Sequence, residues 1–350
     1  MIIYYGLFFI LEFALLGVGS RIRSRALSIS AVVLAISFCG LRYETGYDYN
    51  AYRSFFEDLW IYEGLVEPGF FYFVHLANTI EISTYVLFFL FSLVTHGLAY
   101  HTLAKVSISP NLAFLFYLLI PGLYLNSFSI LRSAFAVSIF GYATFRLISR
   151  GAQLEYFALA ALAISFHFTA ALPFFVAFAL FRSKMGMPSR LTCALLLLGA
   201  LIVSQLGVVE TILGVFGGTK YESYAIGQES QNALKILASN LLALFILYHR
   251  NYFEQTKALA YFFNVWLAGA ILYNGLVQFS DVTRISYYFS FFSIPLLIYA
   301  TSIHKDVVAF LTRAGLILFF SAAFAVAMYN DMQVEDLLNL SNYKSIFEAP

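Results

Sequence analysis

The sequence predicts an all-α, polytopic integral membrane protein, and two observations carry this prediction. Of the 350 residues, 61% are hydrophobic and only 11% are charged, whereas soluble domains carry about 25% charged residues. Apolar runs of about 20 residues, long enough for a helix to cross a bilayer core, recur along the whole chain. The net charge of +1 provides no basic surface of the kind that binds nucleic acid. We therefore expect the lipid bilayer, and no nucleic acid, as a partner.

We predict about twelve transmembrane helices in a single transmembrane domain that comprises residues 1–350. The apolar segment 69–80 is too short for a full crossing and follows a polar loop, so we expect an outer re-entrant or interfacial helix there. Three outer segments are predicted: 42–80 with this short helix, 209–232, and the C-terminal tail 329–350. The predicted spans are 2–19, 26–41, 84–104, 110–125, 128–146, 153–167, 168–181, 190–208, 233–248, 258–278, 285–301 and 307–328.

Lysine and arginine residues set the predicted orientation, because the cytoplasmic loops of membrane proteins are enriched in them. With the N-terminus outside, most of the 20 Lys and Arg residues lie on or near the cytoplasmic side, and both termini are outside. Cys39 and Cys193 lie in apolar runs near opposite faces, so we expect two small buried residues and no disulfide. The basic residues on or near the outer side are Arg42, Arg53, Arg132, Lys220, Lys235, Arg284 and Lys344.

The first outer loop holds the densest group of polar residues. Arg42 follows a helix, and Gly46 precedes Asp48, so a turn can place both charges over the membrane surface. Tyrosine rings offer flat faces on which sugars stack, with hydroxyls for hydrogen bonds. An aromatic belt with interfacial charges is the structural alternative. The loop's tyrosines are Tyr43, Tyr47, Tyr49 and Tyr52, and the later motif is Glu67-Pro68-Gly69-Phe70.

Arg132 lies about one turn inside an otherwise apolar helix, on the outer side. Asn126, Ser129 and Ser133 lie near it at helical spacings. A buried guanidinium needs an anionic partner, and a phosphate group suits its forked geometry. Snorkelling of the side chain to the interface is the alternative interpretation.

Two further polar groups lie at predicted outer ends of helices. His167 is the centre of the polar stretch 165–169, and near neutral pH it could act as a base or as a donor to phosphate; a hydrogen-bonded core histidine is the alternative. Arg284 and Tyr288 share a helix face, and Asp281 could pair with Arg284 or simply cap the helix. Amides expected to join helices by hydrogen bonds are Gln205, Asn240, Asn264, Asn274 and Gln278.

Under this topology the first outer loop and the polar groups around Arg132, His167 and Arg284 all face the same side of the membrane. Three arginines, a carboxylate and a histidine suit a lipid-linked phosphate or pyrophosphate donor, since the arginines can neutralise a leaving group while Asp48 or His167 accepts a proton. The sequence contains no phosphate-binding Gly-Lys loop, metal-spaced His/Cys cluster or dinucleotide fingerprint.

The order of these motifs resembles the EpsG-type (Wzy-like) bacterial polysaccharide polymerases over nearly the full length. The closing stretch 342–347 is similar to the Pro-Tyr-Lys/Arg ending of that family, with Asn342 in place of proline. The motifs that carry the resemblance are Arg42, Gly46-Tyr47-Asp48-Tyr49, Tyr52, Glu67-Pro68-Gly69, Leu131-Arg132-Ser133, Ser165-Phe166-His167-Phe168 and Arg284.

The resemblance implies a glycosyltransferase of the bacterial inner membrane that acts at the periplasmic face. It would transfer a growing glycan from undecaprenyl pyrophosphate to a sugar hydroxyl of a lipid-linked repeat unit, as an O-antigen polymerase does, with a chain-length regulator as a possible partner. Related C-type glycosyltransferases have an acidic residue in the first outer loop, which suits Asp48. The resemblance also implies no metal or other cofactor; Asp-x-Asp is absent, although Glu44 and Asp48 could hold a cation.

On this interpretation the candidate residues fall into three groups. Asp48 and His167 are the acid–base candidates, and the sequence leaves open which of the two acts as the base. A single-sugar glycosyltransferase, or a glycan O-acyltransferase that uses His167, is the first alternative function. A transporter or flippase is the second, for which inverted repeats are expected. Donor binding is assigned to Arg42, Arg132 and Arg284, and the acceptor region to Tyr49, Tyr52, Glu67 and Tyr288.

Overall fold

A computed structural model of the chain shows helices joined by short connections, and it divides into two compact units. Unit 1 comprises Met1–Ala171 and His304–Pro350, and unit 2 comprises Leu172–Ile303. The structure describes residues 2–206, 233–279, 282–303, 306–333, 338 and 340–348. The predicted outer segment 209–232 lies outside the described residues.

Unit 1 begins with eight helices. Ser24 and Ser83 accept hydrogen bonds from the backbone N–H groups of Leu27 and Val86 and so cap two of them. The helices are α1 Ile2–Arg21, α2 Arg25–Gly40, α3 Tyr49–Glu57, α4 Pro68–Thr79, α5 Thr84–Val106, α6 Pro110–Leu119, α7 Leu131–Arg150 and α8 Gln153–Phe166, with short 3₁₀ helices at Leu59–Tyr62, Leu125–Phe128 and Phe168–Ala170.

Unit 2 packs its helices partly through buried amides. Asn240 and Asn274 exchange hydrogen bonds of 3.0 and 3.2 Å, and Asn274 also donates to the Leu197 carbonyl at 3.1 Å. These bonds join three helices, so the predicted role of the two residues is confirmed. The helices are α9 Ala171–Ser183, α10 Arg190–Gln205, α11 Ala233–Tyr248, α12 Arg250–Phe253, α13 Lys257–Gly275, α14 Ser286–Ser290 and α15 Ser293–Ile303, with a 3₁₀ helix at Val282–Ile285.

The membrane class is confirmed by the length and composition of the helices. Among the residues that the structure describes, six helices are long and apolar enough to cross a bilayer: Ile3–Arg21, Thr84–Val106, Leu131–Arg150, Lys257–Gly275, Ser286–Ile303 and Val307–Met332. Six shorter apolar helices of 10–17 residues match the other predicted spans: Arg25–Gly40, Pro110–Leu119, Gln153–Phe166, Phe168–Ser183, Arg190–Gln205 and Ala233–Tyr248. The count of twelve crossings stays a prediction, because a helix needs about 20 residues to cross alone.

The short outer helix expected over 69–80 is α4, and its 12 residues are too few for a crossing. The two cysteines are free and buried, as expected.

The chain returns to unit 1 through α16, Asp306–Met332, and its C-terminal residues fold back onto the first outer loop. Strand β1, Arg42–Tyr43, pairs antiparallel with β2, Lys344–Ser345. The Tyr343 ring stacks on Phe38 at 4.2 Å, and its hydroxyl donates to the Phe38 carbonyl at 3.0 Å. The tail and the first outer loop therefore lie at one end of unit 1, beside 3₁₀ helices at Leu340–Asn342 and Ile346–Glu348.

Candidate functional site

A cluster of three charged or titratable side chains lies where α4, α7 and α8 meet at one end of unit 1. Glu67 immediately precedes α4, Arg132 is the second residue of α7, and His167 directly follows α8. One oxygen of Glu67, Oε2, forms an ion pair with Nη1 of Arg132. The other, Oε1, lies 3.5 Å from Nδ1 of His167 and accepts a 3.2 Å hydrogen bond from the backbone N–H of Phe168. Glu67 is thus the centre of the cluster.

The close approach of α4 to α8 explains how Glu67 reaches His167. Gly69 is the second residue of α4, and a Cβ atom placed there would lie 2.2 Å from the hydroxyl oxygen of Ser165. Only glycine allows this contact between the two helix ends. The motif Glu67-Pro68-Gly69 therefore combines a carboxylate with the residue that lets its helix come close to His167.

The cluster is partly open to its surroundings. The side chains of Arg132, Glu67 and His167 are 19%, 17% and 24% exposed. Partial burial alone would raise the pKa of the Glu67 carboxyl, but the close contact with His167 and the charge of Arg132 outweigh it and lower the pKa to about 2. Glu67 is therefore a carboxylate at neutral pH, and it balances the charge of Arg132.

Aromatic rings surround the guanidinium of Arg132. Its central carbon lies 5.2 Å from the ring centre of Phe70, 5.7 Å from that of Phe55 and 5.9 Å from that of Tyr52. These separations are in the range of cation–π contacts. Nε of Arg132 is buried and has no hydrogen-bond partner among the residues that the structure describes. Arg132 therefore has one donor whose hydrogen bond is not satisfied in the described structure.

The start of α3 brings the first outer loop to this cluster. The backbone N–H of Arg132 donates to the Tyr52 hydroxyl at 3.3 Å. Burial raises the pKa of that hydroxyl, the nearby Arg132 lowers it, and the charge of Asp48 raises it. Asp48 is half-buried, and its negative charge acts on both Tyr52 and Arg132. The structure brings together Tyr52, Glu67, Arg132 and His167; the roles predicted for these residues and for Asp48 stay predictions.

Two other predicted residues of the loop, Tyr49 and Arg42, are buried in the protein. Tyr49 is fully buried, and its ring stacks on Phe88 at 4.7 Å; burial raises its pKa to about 12. Arg42 is 1% exposed and donates to the carbonyls of Cys39 and Thr45 at 2.7 and 3.1 Å. The acceptor role predicted for Tyr49 and the donor-binding role predicted for Arg42 do not fit these enclosed positions. Both side chains instead pack the base of the loop.

Arg284 and Tyr288 belong to unit 2. Arg284 is exposed on the 3₁₀ helix Val282–Ile285, and Tyr288 is fully buried in α14. Their roles in donor and acceptor binding stay predictions. Asp281, the partner considered for Arg284, lies outside the described residues.

Of the three aromatic residues around Arg132, Tyr52 was a predicted site residue, whereas Phe55 was not predicted and Phe70 was given no role. Phe55 follows Tyr52 by three residues on α3, and Phe70 follows Glu67 by three residues at the start of α4. Because residues three apart lie on one helix face, this spacing was a usable signal.

Within the described part of the chain, no group of three or more His, Cys, Asp or Glu residues could hold a metal ion. Glu44, considered with Asp48 as a cation site, pairs with Lys344 at 3.0 Å.

Gly46 is expected to tolerate no side chain. Its φ is +105°, and a Cβ atom would lie 2.2 Å from the Phe128 carbonyl oxygen. Gly46→Ala should therefore destabilise unit 1 by roughly 1–3 kcal/mol through overpacking, with added strain from the left-handed backbone. Thermal unfolding of purified protein in detergent measures this loss.

The matched control is Gly64→Ala, because Gly64 also has a positive φ of +76° but nothing within 4 Å of the added Cβ atom. Gly64→Ala therefore introduces the same kind of backbone strain but no steric clash. Equal losses in the two variants would contradict the close contact at Gly46.

Comparison with known proteins adds one finding. The model of the family described as the EpsG family matches residues 25–345, a range that includes every residue of the cluster. No curated protein matches the chain, and no solved structure does.

Proposed function

The chain belongs to the EpsG family, the family of Wzy-like polysaccharide polymerases, and from this premise we propose that it is a glycan polymerase of the bacterial inner membrane. It transfers a growing glycan from undecaprenyl pyrophosphate to a sugar hydroxyl of a second lipid-linked repeat unit at the periplasmic face. The observation that carries the proposal is the carboxylate of Glu67, which contacts both Arg132 and His167 at one end of a membrane-embedded unit.

Arg132 is the donor-binding residue. Its guanidinium can form paired hydrogen bonds with a phosphate, and the aromatic rings of Phe55 and Phe70 reduce its contact with water. In such surroundings a fixed positive charge stabilises the negative charge that develops on the departing pyrophosphate. Glu67 balances Arg132 until the anionic donor arrives.

His167 is the base in this scheme. Glu67 lies on the Nδ1 side of the ring, so a proton on Nδ1 leaves Nε2 free to accept one. The acceptor hydroxyl gives its proton to Nε2, its oxygen forms the new bond to the anomeric carbon, and the bond from that carbon to the pyrophosphate oxygen breaks. The electron pair leaves with undecaprenyl pyrophosphate. Asp48, at the loop side of Arg132, is the alternative base.

The first test is a gel of surface and lipid-linked glycans from a deletion strain that is complemented with variants. We expect the wild type to restore a ladder of chain lengths. His167→Gln should reduce polymerisation by at least about 100-fold and leave single repeat units, because a general base contributes about 10²- to 10⁴-fold. His101→Gln, at an exposed position far along α5, is the matched control.

Two outcomes would count against the scheme. A full ladder in the deletion strain itself would remove polymerisation from the candidate functions. A normal ladder with His167→Gln and single repeat units with Asp48→Asn would transfer the role of base to Asp48.

A glycan O-acyltransferase is the second candidate, because a carboxylate–histidine pair also serves acyl transfer. It predicts full-length chains that lack ester groups in the deletion strain, which the same glycan preparation reveals on mild alkaline treatment.

A further inference from the structure

Asp331, near the end of α16, joins two segments that are distant in sequence. Its carboxylate is 7% exposed. Oδ1 accepts hydrogen bonds from the Tyr47 hydroxyl at 2.7 Å and from the Leu340 backbone N–H at 3.1 Å, and Oδ2 accepts from the Ser341 backbone N–H at 2.6 Å. Hydrogen bonds of this kind compensate a buried carboxylate for lost hydration. One side chain thus holds both the first outer loop and the residues that follow α16.

The residues that follow α16 also contact the loop at every position from Arg42 to Gly46. We call residues 338 and 340–348 the C-terminal segment. Arg42 and Tyr43 pair with Ser345 and Lys344 in the two-stranded sheet. The remaining contacts are Glu44 to Lys344 Nζ at 3.0 Å, Thr45 Oγ1 to the Lys344 N–H at 3.0 Å, and the Gly46 N–H to the Leu338 carbonyl at 2.8 Å.

The held loop leads directly into the cluster. Asp48 follows Tyr47, and Tyr52 lies one turn into α3, where its hydroxyl accepts the 3.3 Å hydrogen bond from the backbone of Arg132. Because these contacts hold the loop backbone up to Gly46, the C-terminal segment helps to set the positions of Asp48 and Tyr52 relative to Arg132. The hydrogen bonds of Asp331 given above run to Tyr47 and to the residues that follow α16.

We propose that Asp331 is a positioning residue, which with the C-terminal segment holds the first outer loop over Arg132 in the geometry that polymerisation needs. The proposal rests on the proposed function and extends it to residues near the end of the chain. It predicts a defect in turnover while donor binding is retained, since the contacts of Arg132 with Glu67 are independent of this segment.

The first experiment removes single hydrogen bonds. Tyr47→Phe removes only the hydroxyl that donates a hydrogen bond to Asp331. Asp331→Asn removes the charge with little change of shape. Membranes of the deletion strain, which hold the accumulated lipid-linked repeat unit, serve as substrate. We expect both variants to lower the maximal rate by roughly 10- to 100-fold, as small misplacements of reacting groups do, with the half-saturating substrate concentration unchanged.

The controls are Asp58→Asn and Tyr329→Phe, which change exposed residues of the same types. They should polymerise like the wild type. A rise in the half-saturating concentration without loss of maximal rate would overturn the positioning role.

The second experiment exchanges charges and does not depend on how well the Asp331 variants fold. Glu44→Lys and Lys344→Glu should each shorten the glycan ladder, and the double exchange should restore it by re-forming the ion pair. A double variant no better than the single variants, or single variants with a full ladder, would overturn the proposal.

A labelling experiment separates the positioning role of Asp331 from the proposed polymerase function. A Ser345→Cys probe labelled with a membrane-impermeant maleimide reports release of the segment, because the native cysteines are buried. Faster labelling in Asp331→Asn with full polymerisation would overturn the positioning role alone. A deletion strain with a full ladder would overturn the proposed function.

Discussion

Replacing Arg132 with lysine is expected to reduce polymerisation by about 100-fold, the size of effect seen when one donor to a developing oxyanion is removed. Lysine keeps the positive charge and could still pair with Glu67. It lacks the planar fork that contacts two phosphate oxygens at once, and its compact ammonium does not lie flat among the rings of Phe55 and Phe70. The glycan gel, with variant protein quantified in the membrane fraction, measures the effect.

The matched control for this substitution is Arg53→Lys. Arg53 also forms an ion pair with a glutamate, Glu57, at 2.9 Å, but both side chains are more than 40% exposed, at 42% and 45%. Exposed pairs of this kind contribute little, so the control should polymerise normally. If Arg132→Lys gave a ladder equal to that of Arg53→Lys, Arg132 would not be the donor-binding residue.

Replacing Glu67 with glutamine is expected to be at least as harmful, with a loss of about 10²-fold or more. The amide keeps the shape of the side chain but no longer balances Arg132 or orients His167. Initial rates in membranes of the deletion strain measure the loss. Glu63→Gln, at an exposed position in the same loop, is the control, and activity equal to that of the control would show that Glu67 is not needed.

The same substitution has an effect on stability that depends on pH. The folded protein lowers the pKa of Glu67 from its ordinary value of 4.5 to about 2. A lowered pKa means that the carboxylate stabilises the fold above about pH 4.5 and that this contribution is lost as the pH falls toward about 2. The wild type should therefore be more stable than Glu67→Gln at pH 7, and the difference should shrink in acid. Thermal unfolding in detergent at several pH values tests the trend; a constant difference would contradict the ion pair.

The membrane class and much of the candidate functional site could be predicted from the sequence, because the features that indicate them lie within short stretches of the chain. A run of apolar residues specifies a membrane helix wherever it occurs, and a polar side chain beside such a run is costly enough to be informative. Arg132 and His167 each stand out for this reason, and the structure brings them to one carboxylate. The short helix α4 was predictable from length alone, because twelve residues cannot cross a bilayer.

The sequence by itself determined the membrane class, the approximate positions of the helices, the family and most members of the cluster. Only the tertiary structure decided which arginine is buried and which remains available. Arg42 and Arg132 both lie beside apolar runs, yet Arg42 is bound by backbone carbonyls while Arg132 lies near Glu67. Such contacts depend on where distant segments meet. The pairs Arg132–Glu67 and Tyr47–Asp331 are separated by 65 and 284 residues, and hydrophobic periodicity carries no information over such separations because it reports only on neighbours along one helix.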